Sequence, residues 1–176
     1  MSLTVGVDSY VTIEEATEYL SAHYPSTEER MQAWGELSES DREVFLRRAC
    51  AALSQLSYRG VTFEAFQPLP FPRYFYPGAV MAYRELIAPL AYLYPELAEV
   101  PDDIKAAQIE EAFELACPSS DTEKSAALNG AVQSYSIGHL SETLRTAGAG
   151  TAEAMLKSGV AQKLVEQYVG GAYEIL

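Results

Sequence analysis

The stretch from Pro101 to Cys117 constrains the fold more than any other part of the chain. Read at the helical period, Ile104, Ile109, Ala112, Phe113, Leu115 and Ala116 spread apolar side chains over more than half of a helix circumference. A helix with so broad an apolar surface needs neighbours on several sides, and it predicts the central member of a helical bundle. Pro101 suits the first turn, where its missing N–H is not needed, and Asp102 and Asp103 complement the positive end of the helix dipole. Pro118 stops the helix. Glu110, Glu111 and Glu114 read as its wet strip, a solvated acidic face.

Caps mark the other helices. Thr12, with Glu15 three positions later, forms a capping box that opens a short helix to about Ala22, burying Ile13, Ala16, Tyr19 and Leu20. Ser26 with Glu29 repeats the pattern and predicts a second helix through Met31 and Trp34, stopped at Gly35. Ser40 with Glu43 opens a third, running to about Tyr58, with Phe45, Leu46, Ala49, Cys50, Ala52, Leu53 and Leu56 on one broad face and Gly60 at its exit. Thr151 caps a last helix with a stripe of Met155, Leu156, Val160, Leu164, Val165 and Tyr168, which Gly159 weakens by about 1 kcal/mol relative to alanine.

Residues 61–78 are different in kind. Phe63, Phe66, Phe71, Tyr74, Phe75 and Tyr76 alternate with Pro68, Pro70, Pro72 and Pro77, which forbid a regular helix and a central strand. The aromatic rings call for burial or a partner, so an irregular packed loop around the core is expected. A helical candidate from Ala79 to Leu93 is interrupted near Pro89. Residues 119–130 are polar and expected to be mobile, residues 131–140 alternate through Val132, Tyr135 and Ile137 as one or two strands, and Gly148 to Gly150 reads as a hinge or loop. The fold expected is mainly α: a compact helical bundle with an irregular aromatic/proline loop and a small β or extended-loop element near residues 130–140. It forms a single domain over 1–176, with a flexible or projecting segment at 119–150.

Composition narrows the function. The formal net charge is −13, which repels polyanions, and the cations are scattered; Arg42, Arg47 and Arg48 come nearest to a cluster, amid acidic residues. This weakens nucleic-acid binding and leaves a hidden basic groove open. Cys50 and Cys117 lie in apolar helical patterns and read as buried free thiols, with a disulfide left open because sequence cannot measure their separation. No signal peptide and no membrane-spanning run is apparent, which points to the cytosol at synthesis. Neither His23 nor His139 has a metal ligand at suitable spacing, and no phosphate-binding loop or nucleophile elbow occurs. The expectation is a protein that is not an enzyme, with no catalytic residues, no metal and no cofactor. The twelve tyrosines suit either an ordinary core and rim or a surface built for contact.

The order of short motifs resembles the tailed-phage head–tail connector (adaptor) family, some of whose relatives are labelled DnaT-like single-stranded DNA-binding proteins. The resemblance starts at Ser9-Tyr10-Val11-Thr12 with Glu14-Glu15-Ala16, and continues through Arg47 to Leu53, then Gly60, Gln67 and Phe71-Pro72-Arg73. It resumes at Val100-Pro101 with Ile104 and at Ala107-Gln108 with Glu110, then at Ile137-Gly138 with Ser141 and Glu142, and ends at Leu164 with Tyr168. Tyr10, Glu15, Gly60, Gln67, Pro72, Arg73, Pro101 and Gln108 are its structural motif residues. The resemblance implies a virion structural protein that docks under the portal of a phage or prophage and joins head to tail as part of an oligomeric ring around the DNA channel. Its implied partners are further copies of itself, the portal protein and a tail-side or head-completion protein, with DNA only as cargo and no membrane. The implied location is the virion neck after assembly and the host bacterial cytoplasm before it. Tyr135, Ile137, His139, Leu140, Tyr168 and Tyr173 are the candidate interface residues. Acidic side chains lining the channel, and a chain that stays monomeric until it meets the portal, are further expectations. The alternative reading is a single-stranded DNA-binding or replication-accessory protein, and a small helical enzyme ranks last.

Overall fold

The computed structural model describes residues 2–64, 66–74, 99–119, 134–137, 140–143 and 156–170. Within these, the chain is mainly helical. Helix α1 is Ile13–His23, α2 Glu29–Glu36, α3 Glu39–Ser54, α4 Asp102–Ala116 and α5 Gly159–Glu166. The short strands β1 (Val61–Thr62) and β2 (Arg73–Tyr74) pair antiparallel, as do β3 (Ser134–Ile137) and β4 (Leu140–Thr143). Helix α4 is central: it packs along α3 on one side and α5 on another, and it also meets α1.

The caps show why each helix begins where it does. At α1 the box is complete: Glu15 N–H donates to Thr12 Oγ1, and Thr12 N–H donates to the Glu15 carboxylate. Ser26 makes no such box. Helix α2 starts at Glu29 after Glu28, without a side-chain cap, and runs through Gly35 to Glu36. Its anchor is packing, with Trp34 buried against the Phe113 ring. Helix α3 is capped by Ser38, two residues before the expected Ser40, because Ser38 Oγ accepts from Asp41 N–H. Glu43, released from capping, accepts from Leu3 N–H and pairs with Arg47. Helix α3 ends at Ser54, earlier than expected, and Gly60 serves a later turn, at a φ of +75° that favours glycine. Helix α5 is capped by Ser158 and not by Thr151, which lies outside the described residues.

The core draws on every described helix. Ala16 and Leu20 of α1, Trp34 of α2, and Leu46, Ala49, Cys50 and Leu53 of α3 surround Ile104, Ala107, Ile109, Ala112 and Phe113 of α4, and Ala161 and Val165 of α5 close the far side. Both cysteines are free and buried. Leu69 and Phe71 bring the proline-rich loop into this core, so it wraps the bundle as expected, with the addition of the minimal β1–β2 ladder. The strand expectation near residues 131–140 is met by β3 and β4, with Tyr135 opposite Glu142 and Ile137 opposite Leu140. The helical candidate from Ala79 to Leu93, most of the polar segment 119–130 and the Gly148–Gly150 hinge lie outside the described residues.

The largest departure concerns α4. Glu110, Glu111 and Glu114 are not a solvated face: they are 4%, 1% and 7% exposed. Helix α4 is enclosed on its acidic side as well as its apolar side, which is possible because each carboxylate finds donors.

Candidate functional site

Two polar joints and one groove converge on α4. The first joint is neutral. Gln108 is fully buried, and its side-chain oxygen accepts from Tyr10 N–H at 2.8 Å. Its amide nitrogen donates to Ser9 Oγ and to the Leu46 carbonyl. Ser9 Oγ in turn donates to the Val11 carbonyl, and Tyr10 Oη accepts from Phe71 N–H. One glutamine therefore ties the N-terminal segment, α3 and α4 together, and Tyr10 extends the tie to the proline-rich loop. Burial, with the neighbouring Cys50 thiol, pushes the Tyr10 phenol far up, so it stays neutral.

The loop between β1 and β2 is held from within. Gln67 accepts from Glu64 N–H and donates to the Leu69 and Pro72 carbonyls. The Phe71–Pro72 peptide is cis. Arg73 donates to the carbonyls of Tyr58, Arg59, Gly60 and Pro70, which fastens the loop to the end of α3. Burial lowers the pKa of this guanidinium while the Tyr58 and Tyr10 phenols support it. Phe71 packs edge-on against Tyr10, Tyr58 and Tyr168. Phe66 takes no part in this packing and stands 98% exposed at the loop apex.

The second joint is ionic. Glu110 accepts from Tyr24 Oη at 2.7 Å. Glu111 accepts from Lys157 N–H and Ser158 N–H, fixing the entry to α5. Burial raises its pKa, opposed by those two N–H groups and reinforced by the nearby Glu114 charge. Glu114 pairs with Arg30 at 2.6 Å and accepts from Ser119 N–H and Oγ. Arg30 also donates to the Cys117 carbonyl and lies over the Phe113 ring, placing a cation at the negative end of α4. The spacing of these carboxylates was visible in the sequence, but their donors come from distant segments, and no local pattern signals them.

A groove of about 490 Å³ runs between α1 and α4. Val11, Ala106, Ile109 and Leu164 line it with apolar surface, and Tyr19, His23, Asp102, Asp103, Lys105 and Glu15 complete its walls. Tyr19 stacks on His23 with ring centroids 4.0 Å apart. Asp103 already accepts from Gln167 and Tyr168, and Glu15 is held by the Thr12 cap.

The motif residues thus act on the fold: Tyr10 and Gln108 in the neutral joint, Glu15 at a cap, Gly60, Gln67, Pro72 and Arg73 in the loop. Pro101 accepts from Ile104 and Lys105 N–H at the start of α4. Among the interface candidates, Tyr135, Ile137 and Leu140 are brought together as facing strands, while His139 and Tyr173 lie outside the described residues. Tyr168 is half-buried beside Phe71 and donates to Asp103, with burial pushing its phenol up to about 12. Among the described residues, no group of His, Cys, Asp and Glu is placed to hold a metal ion, and no helix is long and apolar enough to cross a membrane.

Searches of curated proteins and of solved structures find no match. The profile of the family described as "Putative DnaT-like ssDNA binding protein" matches residues 2–175, nearly the whole chain. The chain belongs to that DnaT-like family.

Proposed function

We propose that this chain is a docking subunit of a tailed phage or prophage, a head–tail adaptor that sits under the portal and forms part of a ring around the DNA channel. The observation that carries this reading is how the chain uses its cations. Arg30 and Arg47 are paired with carboxylates, and Arg42 and Arg73 donate to backbone carbonyls. Lys105 lies 3.9 Å from Asp102. With a net charge of −13 and these five cations engaged within their own chain, while Arg48 and Arg59 stand exposed, the subunit offers DNA few free cations to grip among the described residues. Such a wall suits a channel along which a duplex slides, and its contacts are then made with proteins.

A second reading, single-stranded DNA binding in replication, is favoured by the description of the family itself. It needs cations along a strand and rings for bases to stack on. Of these, Phe66 and the Tyr19–His23 pair supply rings.

One pair of measurements separates the two. Mixed with its portal, the purified chain is expected to add a closed ring of density in negative-stain images; a chain that stays monomeric beside the portal overturns the adaptor reading. In a gel shift with an oligothymidine strand at low salt, no binding is expected. A shift that weakens steeply with salt moves the conclusion to the second reading.

A further inference from the structure

Arg30 shows what this fold uses to hold a guanidinium. Its cation lies 4.4 Å from the centroid of the Phe113 ring and 2.6 Å from the Glu114 carboxylate, so a ring face and an anion act together on one group. The groove between α1 and α4 offers the same two kinds of surface, with no arginine among its described lining residues. Tyr19 and His23 supply stacked rings, and Glu15, Asp102 and Asp103 supply carboxylates. Glu110 adds a further negative charge beside Tyr19.

The opposing charge is small. Lys105 is the one lysine among the described lining residues, and it stands 3.9 Å from Asp102, whose side chain is fully exposed. Glu15 Oε2 accepts from Thr12 N–H, and Asp103 Oδ2 accepts from Gln167 and Tyr168. The second oxygen of each carboxylate accepts from none of the described residues, so both keep capacity for a donor from outside. Val11 and Ile109 are buried and present little surface, while half-buried Ala106 and Leu164 offer apolar contact to a methylene stem. At about 490 Å³ the groove has room for an arginine side chain.

We infer that the α1/α4 groove receives the arginine side chain of a partner protein. A guanidinium suits it better than an ammonium, because its plane stacks on a ring while its N–H groups reach carboxylates, and because it is more weakly hydrated. The net charge of −13 makes a basic protein the source, not a second copy of the same acidic chain. The inference rests on the reading of the chain as a docking subunit and adds the chemistry that its partner presents; it does not need the copies to close into a ring.

The probe is N-acetylarginine N-methylamide, which carries one guanidinium and no charged ends. Titrated into the full-length, isotope-labelled chain, it is expected to give saturable shifts in the amide NMR signals of Tyr19, His23, Asp102 and Lys105. The norleucine analogue should give none there, and the lysine analogue should bind at least about threefold more weakly. Asp102→Asn should weaken the arginine probe about threefold and Tyr19→Leu about fivefold. Asp102 is exposed, so the first variant keeps its fold even where the second does not, and circular dichroism checks both. Free arginine, whose own carboxylate meets those of the groove, should bind more weakly than the blocked probe; binding as tight or tighter makes the ligand the free amino acid and overturns the assignment to a protein. Shifts scattered over the acidic surface, an equal response to the norleucine or lysine probe, or indifference to Asp102→Asn and Tyr19→Leu overturn the inference. Portal-dependent rings without this response remove the groove contact alone; the response without such rings removes the ring and leaves the groove contact.

Discussion

The two joints along α4 solve one problem in opposite ways. Toward its N-terminal half, Gln108 meets two donors or acceptors on the N-terminal segment and one carbonyl on α3, with no charge involved. Toward its C-terminal half, Glu110, Glu111 and Glu114 meet a phenol, three backbone N–H groups, a serine hydroxyl and an arginine. The neutral joint joins segments whose bonds are insensitive to pH. The ionic joint can be loosened or tightened by protons, because burying a carboxylate is favourable only while its donors are present. The first therefore fixes the fold, and the second makes part of it responsive.

The largest effect is expected at the neutral joint. Gln108→Ala leaves Tyr10 N–H, Ser9 Oγ and the Leu46 carbonyl short of a partner in the interior, and should cost about 4 kcal/mol of stability in urea unfolding. A loss below about 1 kcal/mol would show that the amide is replaceable, and the contrast between the joints would fail.

Arg30→Ala strips the cation from buried Glu114, which keeps the Ser119 donors, and should cost about 3 kcal/mol, measured in the same way.

Glu111→Gln sharpens the comparison through pH. The folded pKa of Glu111 lies above its ordinary value of 4.5, so the folded chain holds this proton more tightly than the unfolded chain. Its contribution to stability is then greatest below about 4.5 and declines as pH rises through the folded value. The variant should flatten that decline in a plot of urea midpoint against pH. An unchanged slope would place the response elsewhere.

The smallest effect lies at a cap. Ser38→Ala should cost about 1 kcal/mol and Ser40→Ala only a few tenths, read from thermal midpoints. Equal losses would return the cap to the position that the sequence spacing suggested.

Local features were readable in the sequence. The Thr12–Glu15 box lies within four consecutive residues, and the apolar breadth of α4 announced its central place. The Ser38 cap was not, because Ser38 and Ser40 both stand before a carboxylate three residues on, and spacing alone does not choose between them. The acidic residues of α4 were misread for a related reason. A glutamate's periodicity tells which way it points, not whether an N–H group from 46 residues away will meet it, as Lys157 meets Glu111. Nor does the sequence distinguish Phe66 from Phe71; one is exposed and the other buried, and the difference lies in how Gln67 and Arg73 fold the loop between them. Gln108 stood out only through a family likeness, though a lone amide in so apolar a helix is itself a clue to a buried joint.

The placement of Glu114 and Glu111 has a consequence for how such chains can diverge. Ser119 departs from one and Lys157 returns to the other, and the two glutamates are three residues apart on one helix. The polypeptide between these two points is thus a cassette with both ends bolted to the same short piece of frame. A change of length or sequence within it is therefore expected to leave Glu111, Glu114 and the helices around them in place.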